Sequence, residues 1–156
     1  MGVLFLPAVL LVAWVLAIAG VVPFGGSDGD SFAVTAMLWM MTLPVGTQFM
    51  VSGLMHTFFA RSTAQNIGWS TNGFQYEIGF VSYGIGIAGF VAAFQDAGAW
   101  LVLSVVVSVF LLGAAANHIL EMVRDRNYAL GNTFVLFYDI GLPVSLWALV
   151  LAGAGP

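Results

Sequence analysis

Five apolar stretches, each about the length of a membrane-crossing helix, take up most of this chain. They cover residues 3–22, 32–60, 77–94, 99–123 and 133–152. A bilayer core about 30 Å thick is spanned by about 20 apolar residues in a helix. The residues between the runs cannot supply a water-facing surface. Hydrophobic residues make up 61 % of the chain and charged ones 6 %, and three Arg with no Lys face seven acids. A soluble domain carries about 25 % charged residues. A soluble enzyme, a nucleic-acid binder and a disordered chain are therefore excluded. Transmembrane β-strands would be about ten residues of alternating polarity, and these runs are continuous. The expected fold is all-α: one transmembrane helical domain over residues 1–156, an integral membrane bundle of five helices. With no Cys, disulfides and thiolate metal sites are excluded. The first run lacks the cationic start of a secretory signal and exceeds its usual apolar length, so it is expected to remain as a span.

The cations orient the bundle. Arg61 follows the second run, and Arg124 and Arg126 follow the fourth, so both loops share one side. Short cationic loops face the cytoplasm. Asp28, Asp30 and Asp96 occupy the opposite loops, without a cation. The expectation is a multi-pass protein of the cell membrane with its N-terminus cytoplasmic and its C-terminus outside. Ser31 or Asp30 is expected to cap the second helix. Pro44 removes a backbone donor inside it and should kink it. The long connection, residues 61–76, mixes Ser62, Thr63, Gln65 and Asn66 with Ala64, Ile67 and Trp69. That pattern predicts a short interfacial helix roofing the bundle, with Trp69 at headgroup level. Asn72-Gly73 then turns the chain into the third span.

Small residues form stripes at helical spacing: Thr42, Gly46, Gly53 and Thr57 in span two, and Ser82, Gly86, Gly89 and Ala93 in span three. Such stripes let helices approach closely in lipid. They also fit a groove kept open for a flat ligand such as a lipid, a quinone or a haem.

Most ionisable groups inside the spans share one depth. His56 lies about 7 Å below the Arg61 interface at 1.5 Å per residue. Glu77 opens span three at that same interface, and Asn117, His118 and Glu121 precede Arg124 by two turns or less. Asp139 lies about 12 Å into the last run. Each has a plain explanation beside the functional one. His56 fits the headgroup layer, Glu77 a helix N-terminus, and Glu121 a surface pair with Arg124 or Arg126. Asp139, set among Phe137, Tyr138, Ile140 and Leu142, resists one. Ionisable groups in hydrocarbon turn to the bundle interior and pair. Glu77, His118 and Asp139 are accordingly expected to converge on a ligand-binding pocket in the cytoplasmic half, with His56 and Asn117 beside it and Glu121 at its mouth. Gly79, Gly84 and Gly113 are expected to bring spans three and four together there.

Several chemistries suit such a cluster. His118, Glu121 and Glu77 are candidate metal ligands, although the di-iron pattern of bundles runs Glu-x-x-His and here the order is reversed. His56 and His118, on different spans, would suit a bis-His haem. A proton path would need polar residues in the outer half, which is nearly free of them. No nucleophile elbow is present. Gly84-x-Gly86-x-x-Gly89 lies in an apolar run with no preceding strand, so a dinucleotide site is rejected. No reaction is specified, and whether the protein is an enzyme stays open. The metal, haem or quinone stays open too.

An ordered set of short motifs carries a resemblance: Ile67-Gly68-Trp69, Phe74-Gln75-x-Glu77-x-Gly79-Phe80, Gly84 and Gly89, Gly113, His118-x-x-Glu121-Met122, Asn127, Gly131-Asn132 and Asp139-x-x-x-Pro143. Over residues 56–143 the chain resembles an uncharacterised domain-of-unknown-function family of small multi-spanning bacterial and archaeal membrane proteins. The Glu-x-Gly-Phe segment is also loosely similar to DoxX-type proteins. Val81-Ser82 departs from the family's frequent Ala-Asn at that place. The resemblance implies no activity. It implies that Glu77, His118 and Asp139 belong to one recurrent pattern. Two functions compete: a ligand-binding membrane protein, and a non-catalytic accessory or structural subunit. The expected partners are the lipid bilayer and either further copies of the chain or a larger membrane complex, with no nucleic acid.

Overall fold

The computed structural model describes residues 5–155, all helix and connecting turn, with no strand among them. Residues 3 and 4 of the first expected span lie outside the described residues. Helix α1 (Phe5–Ile18) ends earlier than Pro23 predicts. Gly20 adopts φ +69°, and its N–H and that of Val21 return to the carbonyls of Ala17 and Leu16 at 3.1 and 3.0 Å. This is a Schellman closure, which uses the left-handed freedom of glycine to satisfy the last carbonyls. The freed Val21 carbonyl then accepts Trp39 Nε1 at 2.7 Å, tying α1 to the next helix.

Helix α2 (Phe32–Thr57) begins where Ser31 Oγ accepts the Val34 N–H at 3.3 Å, one of the two caps expected. The predicted disturbance at Pro44 takes the form of a π-helical turn over Met41–Thr47. Proline lacks the N–H, and its ring crowds the carbonyl four residues earlier, so the helix widens there instead of breaking. The Thr47 hydroxyl donates to the Thr42 carbonyl at 2.9 Å, and the Tyr138 hydroxyl donates to the Pro44 carbonyl. Helix α3 (Ala60–Asn66) is the short segment expected in the long connection.

Helix α4 (Gly73–Ala92) starts four residues before residue 77, because Asn72 Oδ1 caps the Phe74 N–H at 3.0 Å. Helix α5 (Ala97–Arg124) is capped by Asp96, whose Oδ1 accepts from Ala99 N at 3.2 Å. Trp100 Nε1 bonds the Ala92 carbonyl at 2.7 Å and closes the tight α4–α5 turn. Helix α6 (Leu130–Ala154) completes the bundle. Helices α2, α5 and α6 are long and apolar enough to cross a membrane, and α1 is a shorter apolar helix.

The core is built from Met37, Met40, Met41 and Val45 of α2 against Leu142 and Leu146 of α6, all fully buried. Large apolar side chains also cover the outside, among them Phe80, Val109 and Leu151. That surface is suited to hydrocarbon rather than water.

The small-residue stripes meet each other. A Cβ at Gly89 would stand 2.7 Å from Gly46 N, and one at Gly86 would stand 2.9 Å from Met50 N. Backbone therefore lies on backbone along α2 and α4, as packing in lipid favours. None of the three glycines expected to join spans three and four does so. Cβ atoms at Gly84 and Gly113 would meet nothing within 4 Å, and Gly79 faces Thr57 of α2. The neighbour at these contacts is α2, because the stripe of α4 is complementary to that helix and α5 offers mostly bulky aliphatics.

Gly89→Ala is expected to force α2 and α4 apart and to cost about 1–3 kcal/mol, the usual range for overpacking. Gly84→Ala should be neutral, or stabilising by roughly 0.5–1 kcal/mol through helix propensity. Unfolding midpoints of the detergent-solubilised variants decide this, and equal losses at both positions would contradict the packing described.

Candidate functional site

The 61–76 segment forms a roof over the site. After α3 the chain reverses at Gly68, φ +78°, where a side chain would collide with Asn127. Trp69 N returns to the Ala64 carbonyl at 2.8 Å. Asn127 Nδ2 holds the Ile67 carbonyl at 2.8 Å, and the Thr63 hydroxyl holds the Met55 carbonyl at 2.9 Å. Gly131 admits the Asn66 carbonyl where any Cβ would clash. The segment is thus pinned to α2 on one side and to the start of α6 on the other. The Trp69 ring turns inward and stacks on His118, with centroids 5.2 Å apart and planes 22° apart. The turn at Gly68 aims it there, which residue spacing alone does not reveal.

Beneath the roof a polar chain links α5 to α6. Asn132 is fully buried in the first turn of α6. Its Nδ2 donates to the carbonyls of His118 and Asn127 at 3.2 and 2.9 Å. With both amide hydrogens engaged, Asn132 Oδ1 is left as the acceptor facing His118 Nδ1 at 2.6 Å. The imidazole therefore donates from Nδ1. Its Nε2 faces Asp139 Oδ2 at 4.0 Å, beyond hydrogen-bond reach. Asp139 is 2 % exposed, and its Oδ2 has no hydrogen-bond partner. Trp69 Nε1 and Gln48 Oε1 are likewise buried and unpartnered. Across the site, Gln75 Nε2 lies 2.8 Å from His56 Nδ1 and joins α4 to α2.

These groups border a cavity of about 760 Å³. Ligand pockets commonly measure about 300–1,000 Å³. Its polar end carries His56, Gln75, Trp69, His118 and Asp139, and its apolar walls include Phe49, Phe110, Leu111 and Val135. Of the residues singled out from sequence, His56, Asn117, His118 and Asp139 line it. His118 and Asp139 are brought together as expected, and Glu77 is not brought to them. Glu77 is exposed in the first turns of α4 and lies outside the lining, while Gln75 and Ile78 belong to it. Two residues advance a helix by about 200°, which turns Glu77 to the opposite face. Glu121 is half-buried one turn beyond His118 and also lies outside the lining. The candidate metal set His118, Glu121 and Glu77 is therefore not assembled. Among the described residues no three His, Asp or Glu are grouped so as to hold an ion.

Sequence reasoning missed the weight carried by Asn132 and Gln48. Gln48 is a carboxamide in the middle of an apolar run, and that alone could have marked it. Asn132 lies next to Gly131 and reads as a turn residue. Only its place fourteen residues after His118, across a tight reversal, hints at contact.

A family model matches residues 3–154, nearly the whole chain. The chain belongs to DUF6790, a family of unknown function. The match takes in the first two helices as well as the motif-bearing residues 56–143. It lends no support to a DoxX-type relationship. Neither a curated protein nor a solved structure matches this chain.

If Asn132 carries the link to His118, Asn132→Ala and His118→Ala should each cost about 1–3 kcal/mol, because each leaves a buried partner unpaired. The double variant should cost less than the sum by about 0.5–3 kcal/mol. Denaturation of the four proteins in one detergent measures the coupling. Strictly additive losses would show that the contact is not an energetic link.

Proposed function

We propose that this is a five-span membrane protein that binds a small organic molecule in the roofed cavity, within the cytoplasmic half of the bundle. The observation that carries this is the pairing of a ligand-sized, mostly apolar cavity with buried polar atoms left unpartnered on three of its lining residues, Asp139 Oδ2, Trp69 Nε1 and Gln48 Oε1. An unsatisfied buried polar group costs about 1–3 kcal/mol, and native proteins retain few of them without cause. A bound molecule offering a donor to Asp139 and an acceptor to Trp69 would remove two of these costs. Its apolar body would lie among Phe49, Phe110 and Leu111. The outer half supplies almost no ionisable residues, so a binding site is favoured over a continuous path.

The orientation rests on Arg61, Arg124 and Arg126, which all lie exposed at the roofed end. Cysteines placed at Asp28 and Asp96 should react with a membrane-impermeant thiol reagent added to intact cells, and one at Asp125 should react only after lysis. The opposite pattern would invert the topology. For the site itself, protein purified in mild detergent should release a small molecule on solvent extraction, detected by mass spectrometry and depleted in Asp139→Leu. Protein free of any such molecule and recovered in fixed ratio with other polypeptides would instead mark it as an accessory subunit of a complex.

A further inference from the structure

The polar end of the cavity defines the head group it would accept. Asn132 fixes His118 as a donor at Nδ1, so in the neutral ring Nε2 presents a lone pair. Asp139 Oδ2, 4.0 Å away, is also an acceptor and has no donor within reach. Two acceptors that far apart are served together by one atom carrying two hydrogens. A nitrogen about 2.8 Å from each would see them separated by roughly 90°, near the tetrahedral spacing of its N–H bonds. An alcohol has a single hydrogen and can serve one of them. Charge narrows the choice further. The three arginines are exposed, and the ion pairs found among the described residues place no arginine against Asp139. A carboxyl buried without a countercharge is ionised only when a cation is brought to it. An ammonium supplies both the hydrogens and the charge. The Trp69 indole, stacked on His118, lines the same cavity, and an electron-rich ring is a surface that attracts cations.

We infer that the cavity recognises a protonated primary or secondary amine carrying an apolar body, its N–H groups bridging Asp139 Oδ2 and His118 Nε2. This rests on the ligand-binding role proposed above and narrows it to a chemical class.

Three probes of one shape test it by fluorine NMR on the full-length protein in micelles: para-fluorobenzylamine, para-fluorobenzyl alcohol and the N,N,N-trimethyl derivative of the amine. Saturable binding of the amine is expected to be tighter than that of either of the others by about tenfold or more, and Asp139→Asn should bring amine and alcohol to within about twofold of each other. Unchanged circular dichroism establishes that the variant is folded. If it does not fold, the wild-type ranking of the three probes decides the matter alone. Alcohol binding as tightly as amine would overturn the amine assignment and leave the pocket standing. So would a trimethylammonium that matches the amine, since it has the charge without the hydrogens. Saturable binding by none of the three would overturn the pocket as well.

Discussion

The carboxamide of Asn132 holds the functional end of this protein together. It sits where the α5–α6 connection ends and α6 begins. There it satisfies two backbone carbonyls and one imidazole nitrogen. Buried polar groups need hydrogen-bond partners, and this one amide provides several of them. Its contact with the Asn127 carbonyl continues through the Asn127 side chain to Ile67, and so to the roof. One buried amide therefore relates α5, α6 and the segment that covers them. It also orients His118 so that Nε2, and not Nδ1, faces Asp139. The chemistry of the cavity follows from that orientation.

The space beneath the roof has its own cause. Along α2 and α4 the glycines bring backbone against backbone, which packs one side of the bundle tightly. The π turn at Pro44 widens α2 beside that contact and leaves a carbonyl for the Tyr138 hydroxyl, so α6 is fastened at mid-depth. On the side of that fastening away from the roof the core is solid with methionine, leucine and valine. On the roof side the side chains from α2, α5 and α6 line the cavity. Tight packing at one depth and open space at another are both stored in where small and bulky residues fall on the same helices.

The arrangement of polar atoms is unusual for a structural role alone. A cluster that served only to fix helix register would be expected to satisfy itself, as the Asn132 network does. The neighbouring Asp139 carboxyl, the Trp69 indole and the Gln48 amide do not. Satisfied and unsatisfied groups lie next to each other, the first holding the frame and the second available to the ligand proposed above.

The class of this fold was legible in the chain, and so were most of its parts. Apolar runs separated by short turns dictate helices in a bilayer, since only helices and closed barrels satisfy their own backbone there. Caps at Ser31, the disturbance at Pro44, the stripes of Gly46, Gly53, Gly86 and Gly89, and the shared depth of His56, His118 and Asp139 all follow from local chemistry and from a rise of 1.5 Å per residue. Depth is a one-dimensional quantity, and a sequence records it directly. The direction in which a side chain points around its helix is not recorded until the helices have chosen neighbours. That is why Glu77 and Glu121, at the correct depth, fall outside the cavity, and why Gly84 and Gly113 face open space. The roof was readable as a short helix, but the inward turn of Trp69 depends on Gly68 and on the contact with Asn127. Sequence by itself determined which residues lie near the polar end. The tertiary structure alone decided which of them meet, because meeting requires the azimuth of each helix to be set by packing against the others.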